Sequence, residues 1–220
     1  MAENLTQAIK RAKDYVSKLT SDNISSSDNI DLNKVWQLDN SYIASSTVSG
    51  LVIIDQARAH QRILFDDAVK SFKLGISSSQ TLLFPKELKL SSAKLSTLLD
   101  ILPFMNKIGF TIRKLENKSI VLESIPSDMP WGDEDSVISK MLNDFSTASK
   151  KDFSNETLIA LSFSKRACIK HGDVLNVSEM IELINRLFGT DEPFITPNQE
   201  PILYQIDYKE IKKRFNELGL

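Results

Sequence analysis

Apolar positions recur along this chain with two different periods, and each change of period marks an expected element. Leu5, Ala8, Ile9, Ala12, Val16 and Leu19 fall three or four residues apart, which predicts a short amphipathic helix. The polar run from Thr20 to Asn29 has too little apolar surface to offset the entropy of ordering it. Residues 1–32 are therefore expected to be a linker or tail that carries this helix. Residues 34–44 place aromatic and β-branched side chains on either side of Asn40 and Ser41, the pattern of a strand, turn and strand. Leu51–Asp55 is a short continuous apolar run ending in a carboxylate, expected as a strand buried on both faces. A helix is expected from about Arg58, with Ile63, Leu64, Phe65, Ala68, Val69 and Phe72 on its apolar stripe, followed by a loop at Gly75–Ser79.

The middle of the chain has its own rhythm. Thr81–Pro85 and Glu87–Leu90 read as extended, and Ser91 opens a helix carrying Leu95, Leu98, Leu99 and Leu102 that is expected to end near Pro103–Met105. Gly109–Arg113 and Ser119–Glu123 form an expected hairpin around Glu116–Lys118. Residues 125–135 read as a Pro-rich connector, and Val137, Ile138, Met141, Leu142 and Phe145 then resume helical spacing. Residues 157–163 fit a helix or a strand equally well. Asn176 with Glu179 three residues on is a capping box for a helix bearing Met180, Ile181, Ile184, Leu187 and Phe188, stopped at Gly189. A loop over 191–201, a short strand from Ile202 and a last helix with Ile211, Phe215 and Leu218, capped by Asp207, complete an α+β pattern.

Composition narrows the chemistry. Of 220 residues, 41% are hydrophobic and 25% charged, a globular balance. Cys168 is the single cysteine, so a disulfide framework and a Cys-rich zinc site are excluded and a reducing, cytoplasmic setting is expected. His60 and His171 are the only histidines. No apolar run reaches the roughly 18–20 residues a bilayer span needs, and the N-terminus lacks the apolar stretch of a signal peptide. With 27 basic and 29 acidic side chains the net charge is −2, so the bulk field does not attract nucleic acid. Lys165, Arg166, Lys170, His171, Lys209, Lys212, Lys213 and Arg214 could supply a weak, salt-sensitive DNA contact only if folding gathers them; charge runs of this kind are otherwise solvated faces.

The densest cluster of chemistry-bearing residues is Asp55–Arg62, at a strand end just before a helix. Its carboxylate and imidazole could bind a metal or move a proton; alternatively Asp55 and Gln56 cap the helix and His60 lies on its surface. Here the sequence resembles a known family. Leu51–Asp66 is similar to the start of the C-terminal domain of MutL, the DNA mismatch repair protein, and Val35–Ile43 to that family's opening hairpin. Ser79–Pro85 with Leu115–Pro126 resembles its inserted regulatory subdomain, and Ala167–Met180 its Ala-Cys segment and following helix. The resemblance covers about residues 34–216 in the family's order. It implies a dimerisation subdomain formed by both chain ends, 33–78 and 151–220, and an inserted regulatory subdomain at 79–150.

Many members of that family nick DNA with a metal ion, so the motif is compared position by position. Asp55 and Gln56 match, but Ala57 stands for a His, Gln61 for a Glu and Asp66 for a second Glu. Cys168 is kept, while Ile169 replaces an Arg, and Thr196, Asn198 and Glu200 stand for Cys, His and Arg. The closing Phe-x-Arg has become Phe215 to Glu217. Methyl, amide and hydroxyl groups replace thiolate, imidazole and carboxylate, and neutral groups do not offset the dehydration of a divalent cation. The resemblance thus implies a homodimerising interaction module of mismatch repair, acting with other mismatch repair proteins at the nucleoid, without endonuclease activity, cofactor or membrane partner. The rivals are a divergent nicking endonuclease built on Asp55, His60, Asp66 and Cys168, and a monomeric adaptor.

Gln80–Phe84 adds a second binding feature. A glutamine followed by aliphatic residues and a phenylalanine resembles the pentapeptide that docks in the cleft of the bacterial replication sliding clamp, with Gln80 orienting through hydrogen bonds and Leu83 and Phe84 as anchors. Otherwise Thr81–Phe84 is a strand packed on the helix at 92–102.

Overall fold

The computed structural model describes residues 30–115, 119–148 and 153–217. The expected N-terminal helix, the polar run to Asn29, the hairpin turn at Glu116–Lys118 and Leu218 lie outside the described residues. The elements run β1 (Ile30–Leu38), β2 (Tyr42–Thr47), β3 (Gly50–Asp55), α1 (Gln56–Leu74), β4 (Ser79–Lys89), α2 (Ser92–Lys107), β5 (Thr111–Lys114), β6 (Ser119–Pro126), α3 (Glu134–Thr147), α4 (Asn155–Ala167), α5 (Val177–Phe188), β7 (Leu203–Asp207) and α6 (Tyr208–Glu217). This is an α+β fold with two antiparallel sheets. No helix among the described residues is long and apolar enough to cross a membrane.

The contacts divide into two compact units. One joins the chain up to Arg62 with the chain from Ile169; the other is Ile63–Cys168. The second unit begins earlier and ends later than the 79–150 expected for an insert. It takes in most of α1, whose Leu64 and Ala68 are buried, and all of α4, whose Ile159, Ala160 and Phe163 are buried. Residues 30–32, expected as linker, are the start of β1.

The first unit is a four-stranded sheet in the order β1-β2-β3-β7. Leu38 pairs with Tyr42 across a three-residue loop whose Asp39 and Asn40 are both at positive φ, with Ser41 N–H donating to the Leu38 carbonyl at 3.0 Å. Asp and Asn tolerate that backbone, and such a turn matches the twist of a hairpin. Gly50 is required where β3 meets β7, because a Cβ there would lie 2.0 Å from the Ile206 carbonyl oxygen. Ile43, Val52, Ile54 and Leu203 form the buried face, and α5, closed by the capping box of Asn176 and Glu179, contributes buried Met180, Leu183, Ile184 and Leu187.

The second unit is a three-stranded sheet, β4-β6-β5, with α2, α3, α4 and the body of α1. Residues 157–163 are helical, in α4, with Ser154 accepting from Thr157 N–H as N-cap. Helix α2 runs through Pro103 and ends at Lys107, two residues beyond the expected end. Proline removes one helical hydrogen bond, and this one is exposed while Ile101 and Met105 on either side are fully buried and hold the last turn. Phe110 meets Phe163 edge-on at 5.8 Å within one continuous core.

Two carboxylates in this unit are held ionised. Arg166 forks onto Asp144 at 2.8 and 2.9 Å and keeps its carboxyl below the ordinary range against some burial, helped by the Ser162 hydroxyl. Burial pushes Glu134 up, but the Gly132 N–H and the Lys86 ammonium outweigh it and hold the group low. A depressed folded pKa gives stability that is complete above the unfolded carboxylate range and is lost as pH falls through the folded value. Urea midpoints are therefore expected to fall between about pH 5 and about pH 3. Asp144→Asn is expected to flatten that slope while lowering stability at pH 7; an unchanged slope would show that Asp144 does not carry it.

Candidate functional site

Asp55 closes β3 and opens α1. Its Oδ1 accepts the Arg58 N–H at 3.0 Å, an N-cap, and lies 3.0 Å from His171 Nε2, while Oδ2 is 3.5 Å from Arg58 Nε. Tyr42, opposite Asp55 in the β2–β3 register, lies against the His171 ring, tilted by 38° with centroids 5.7 Å apart. Arg58 also donates to the Pro201 carbonyl at 2.7 Å and lies 4.0 Å from Glu200. The carboxylate is thus occupied by a cap, a guanidinium and an imidazole.

Gln56 is fully buried. Its Nε2 lies 2.9, 2.8 and 3.0 Å from the carbonyls of Asn40, Lys170 and Asp173, and its Oε1 accepts Gln37 Nε2 at 2.7 Å. Gln37 in turn donates to the Asp173 carbonyl and accepts the Leu175 N–H. Two amides therefore staple the segment 170–175 to the β1–β2 hairpin. Sequence reasoning found Gln56 but not Gln37; the signal was a polar residue on the strand parity that otherwise carries Ile43 and Ile54.

His60 is not on the helix surface as expected but buried, and Nδ1 accepts the Ile169 N–H at 3.0 Å. That nitrogen is spent on the backbone, so the neutral ring carries its proton on Nε2. Ala57 is a half-buried methyl, and the buried Gln61 Nε2 has no hydrogen-bond partner among the described residues. Thr196 is buried in a tight turn: its carbonyl accepts Gln199 N–H and its Oγ1 accepts Glu200 N–H. Asn198 and Glu200 are exposed on that turn, and Gln199 takes positive φ. Asp66 and Cys168 belong to the other unit; Cys168 is buried at the end of α4, its Sγ 3.5 Å from the Lys165 carbonyl. Among the described residues, no three His, Cys, Asp or Glu side chains converge as a metal site would require.

The sheet supplies a second feature, which corrects the reading of β3 as buried on both faces. Val52 and Ile54 are buried but Leu51 and Ile53 are only half-buried. The register carries one row across all four strands: Trp36 opposite Ala44, Ala44 opposite Ile53, Ile53 opposite Tyr204. Leu38 and Tyr42 flank it on one side, Leu51 and Ile206 on the other. Trp36 is 41% and Tyr204 49% exposed, with Leu38 and Tyr42 similar. A contiguous aromatic and aliphatic sheet face of this kind marks an interaction surface.

In the second unit, β4 pairs with β6 at Thr81 opposite Ser124 and resumes at Lys86 opposite Leu122. Residues 82–85 thus face a single partner residue and bulge from an edge strand, where Pro85 costs no ladder bond. Leu82 turns into the core; Leu83 and Phe84 are each 81% exposed. The packed-strand alternative therefore holds for Leu82 alone. Gln80 is half-buried at the foot of the bulge.

A family model described as the MutL C terminal dimerisation domain matches residues 35–175. The chain belongs to that family. It is similar to the DNA mismatch repair protein MutL of Chloroherpeton thalassium, 35% identical over 182 residues, covering 82% of this chain and 28% of that protein. The MutL proteins of Prosthecochloris aestuarii and Chlorobaculum parvum are 32% and 33% identical over 183 residues, 83% of this chain and 29% of theirs. The chain thus spans less than a third of the length of these relatives. The match includes the hairpin, Asp55–Gln56 and the bulge, whereas α5, β7 and α6 lie beyond it.

Gln56 serves here as a staple between the hairpin and the returning segment. Gln56→Leu is expected to lower stability by about 2–4 kcal/mol, because several buried polar groups lose their partner together. Urea unfolding measures the loss, and hydrogen exchange should localise it to residues 170–175; a change below about 0.5 kcal/mol would refute the staple.

Proposed function

We propose that this chain is the homodimerisation and protein-interaction module of a MutL-type mismatch repair protein, without endonuclease activity. The open sheet face carries the reading. Trp36, Ile53 and Tyr204 are one row of a surface that a second copy can cover, and large aromatics at the centre of a patch are the usual binding anchors. In this reading the unit built from both chain ends dimerises and the intervening unit is regulatory. A dimer tethers whatever each copy carries, which raises the effective concentration of one partner for the other.

The non-enzymatic part rests on the chemistry of the motif positions. Asp55 is engaged by Arg58 and His171, His60 Nδ1 by the backbone, and Thr196 by its own turn. The clamp reading rests on the bulge, which presents Leu83 and Phe84 as adjacent apolar anchors for the cleft of a replication sliding clamp. For DNA, Lys209, Lys212 and Lys213 gather along α6 and support a weak contact there, whereas Arg166 and His171 are committed to Asp144 and Asp55.

Two experiments test this. Light scattering at micromolar concentration is expected to give twice 24.8 kDa, and Ile53→Asp to weaken the dimer by about 30-fold or more with the circular dichroism unchanged. A wild-type mass of 24.8 kDa would favour the monomeric adaptor instead. Supercoiled plasmid with manganese or zinc is expected to remain uncut; nicking abolished by Asp55→Asn would establish the enzyme rival.

A further inference from the structure

The three recognition groups of the bulge are not equally available. Leu83 and Phe84 project from it, but Gln80 is turned inward. Its Nε2 lies 3.3 Å from the Pro126 carbonyl, 3.2 Å from that of Ser127 and 3.0 Å from that of Met129. Two amide hydrogens are thus divided among three acceptors of one short segment. That segment is itself tied to the residues before β4. Ser127 N–H donates to the Ser78 carbonyl at 3.1 Å, the two hydroxyls meet at 2.8 Å, and Met129 N–H donates back to Pro126. Met129 is buried in the core, so the acceptors are held in place.

A glutamine that orients a docked peptide must give its amide to the partner. Here the amide is already satisfied within the chain. We propose that Gln80 is a latch: it holds the clamp-docking motif in a closed state, and docking requires the side chain to leave the carbonyls of residues 126–129. This inference rests on the clamp reading above and states how that same site is regulated. The physical consequence is a conformational cost. If only a fraction of molecules has Gln80 released, the apparent dissociation constant rises by the inverse of that fraction. Gln80 is only half-buried and its contacts are modest, so the released fraction is expected to be about one in ten.

A thermodynamic cycle isolates the latch. The affinity of purified sliding clamp is measured for the full chain and for a free peptide of residues 78–86, each as wild type, Gln80→Ala and Phe84→Ala. In the peptide Gln80 serves recognition alone, so Gln80→Ala is expected to weaken binding about tenfold. In the full chain the same change removes recognition and latch together, so the loss is expected to be under about threefold. Phe84→Ala has no latch to relieve and is expected to cost about tenfold in both. Equal losses on Gln80→Ala in peptide and chain would overturn the latch while leaving the clamp reading intact. Unchanged affinity on Phe84→Ala, or no binding by wild-type chain and peptide, would overturn both. Should Gln80→Ala unfold the chain, the Gln80 side-chain amide protons of the wild type give the same answer. They are expected to exchange slowly when free and to shift on adding clamp, and fast exchange in the free chain would overturn the latch.

Discussion

The buried amide of Gln56 is the contact on which the first unit depends. An unsatisfied amide in a core is expensive, and Gln56 avoids that cost because four polar groups from three pieces of chain arrive at it. They are the hairpin turn through Asn40, strand β1 through Gln37, and the Lys170 and Asp173 carbonyls of the returning segment. The Gly172 N–H closes the same junction on the Asn40 carbonyl at 2.7 Å. The two parts of this unit are distant in sequence, so the staple is what fixes the start of the returning segment. From there the chain continues into the capping box of α5 and eventually into β7, which completes the sheet.

Fixing that sheet has a consequence for its other face. Antiparallel pairing puts directly opposed residues on one side, so the register that buries Ile43, Val52, Ile54 and Leu203 must also align Trp36, Ala44, Ile53 and Tyr204. A chain that needed only one covered face would place polar residues on the second row. This one places two aromatics and an isoleucine around a small alanine. Ala44 is almost wholly buried at the centre of the row, and the paired strands hold its neighbours in fixed register. Preorganisation of that kind reduces the entropy lost on association.

Much of this was legible from spacing. The capping box, the two hairpins, the helix at Val137–Phe145 and the final strand and helix all follow from period and punctuation. The rest turned on contacts that spacing does not encode. Pro103 reads as a stop, yet burial of Ile101 and Met105 carries the helix past it. Leu51–Asp55 reads as doubly buried because an apolar run does not say whether its second face is covered by the same chain. The excess of apolar residues in these strands was visible, but only pairing shows that they form one row. His60 has a polar neighbourhood in sequence and a buried backbone donor in space. The bulge left a sequence trace in Pro85; the inward turn of Gln80 left none, since its partners are backbone carbonyls.

The residues around Asp55 and Thr196 show how polar side chains at strand ends and turns serve the backbone. Asp55 caps α1, and Arg58 ties the start of that helix to Pro201. The Thr196 hydroxyl accepts the Glu200 N–H and closes its turn. Glu200, which as an isolated carboxylate would repel a phosphate, faces Arg58 instead. Asp55, Arg58, Thr196 and Glu200 thus each have a backbone partner or a counter-charge. Gln61 differs, because its buried amide nitrogen has no hydrogen-bond partner among the described residues. Gln56 and its partners support the sheet, and the sheet supports the open face. The physical demand on this part of the chain is then to hold that face in register, which neutral side chains with backbone partners do at lower desolvation cost than a cluster of charges.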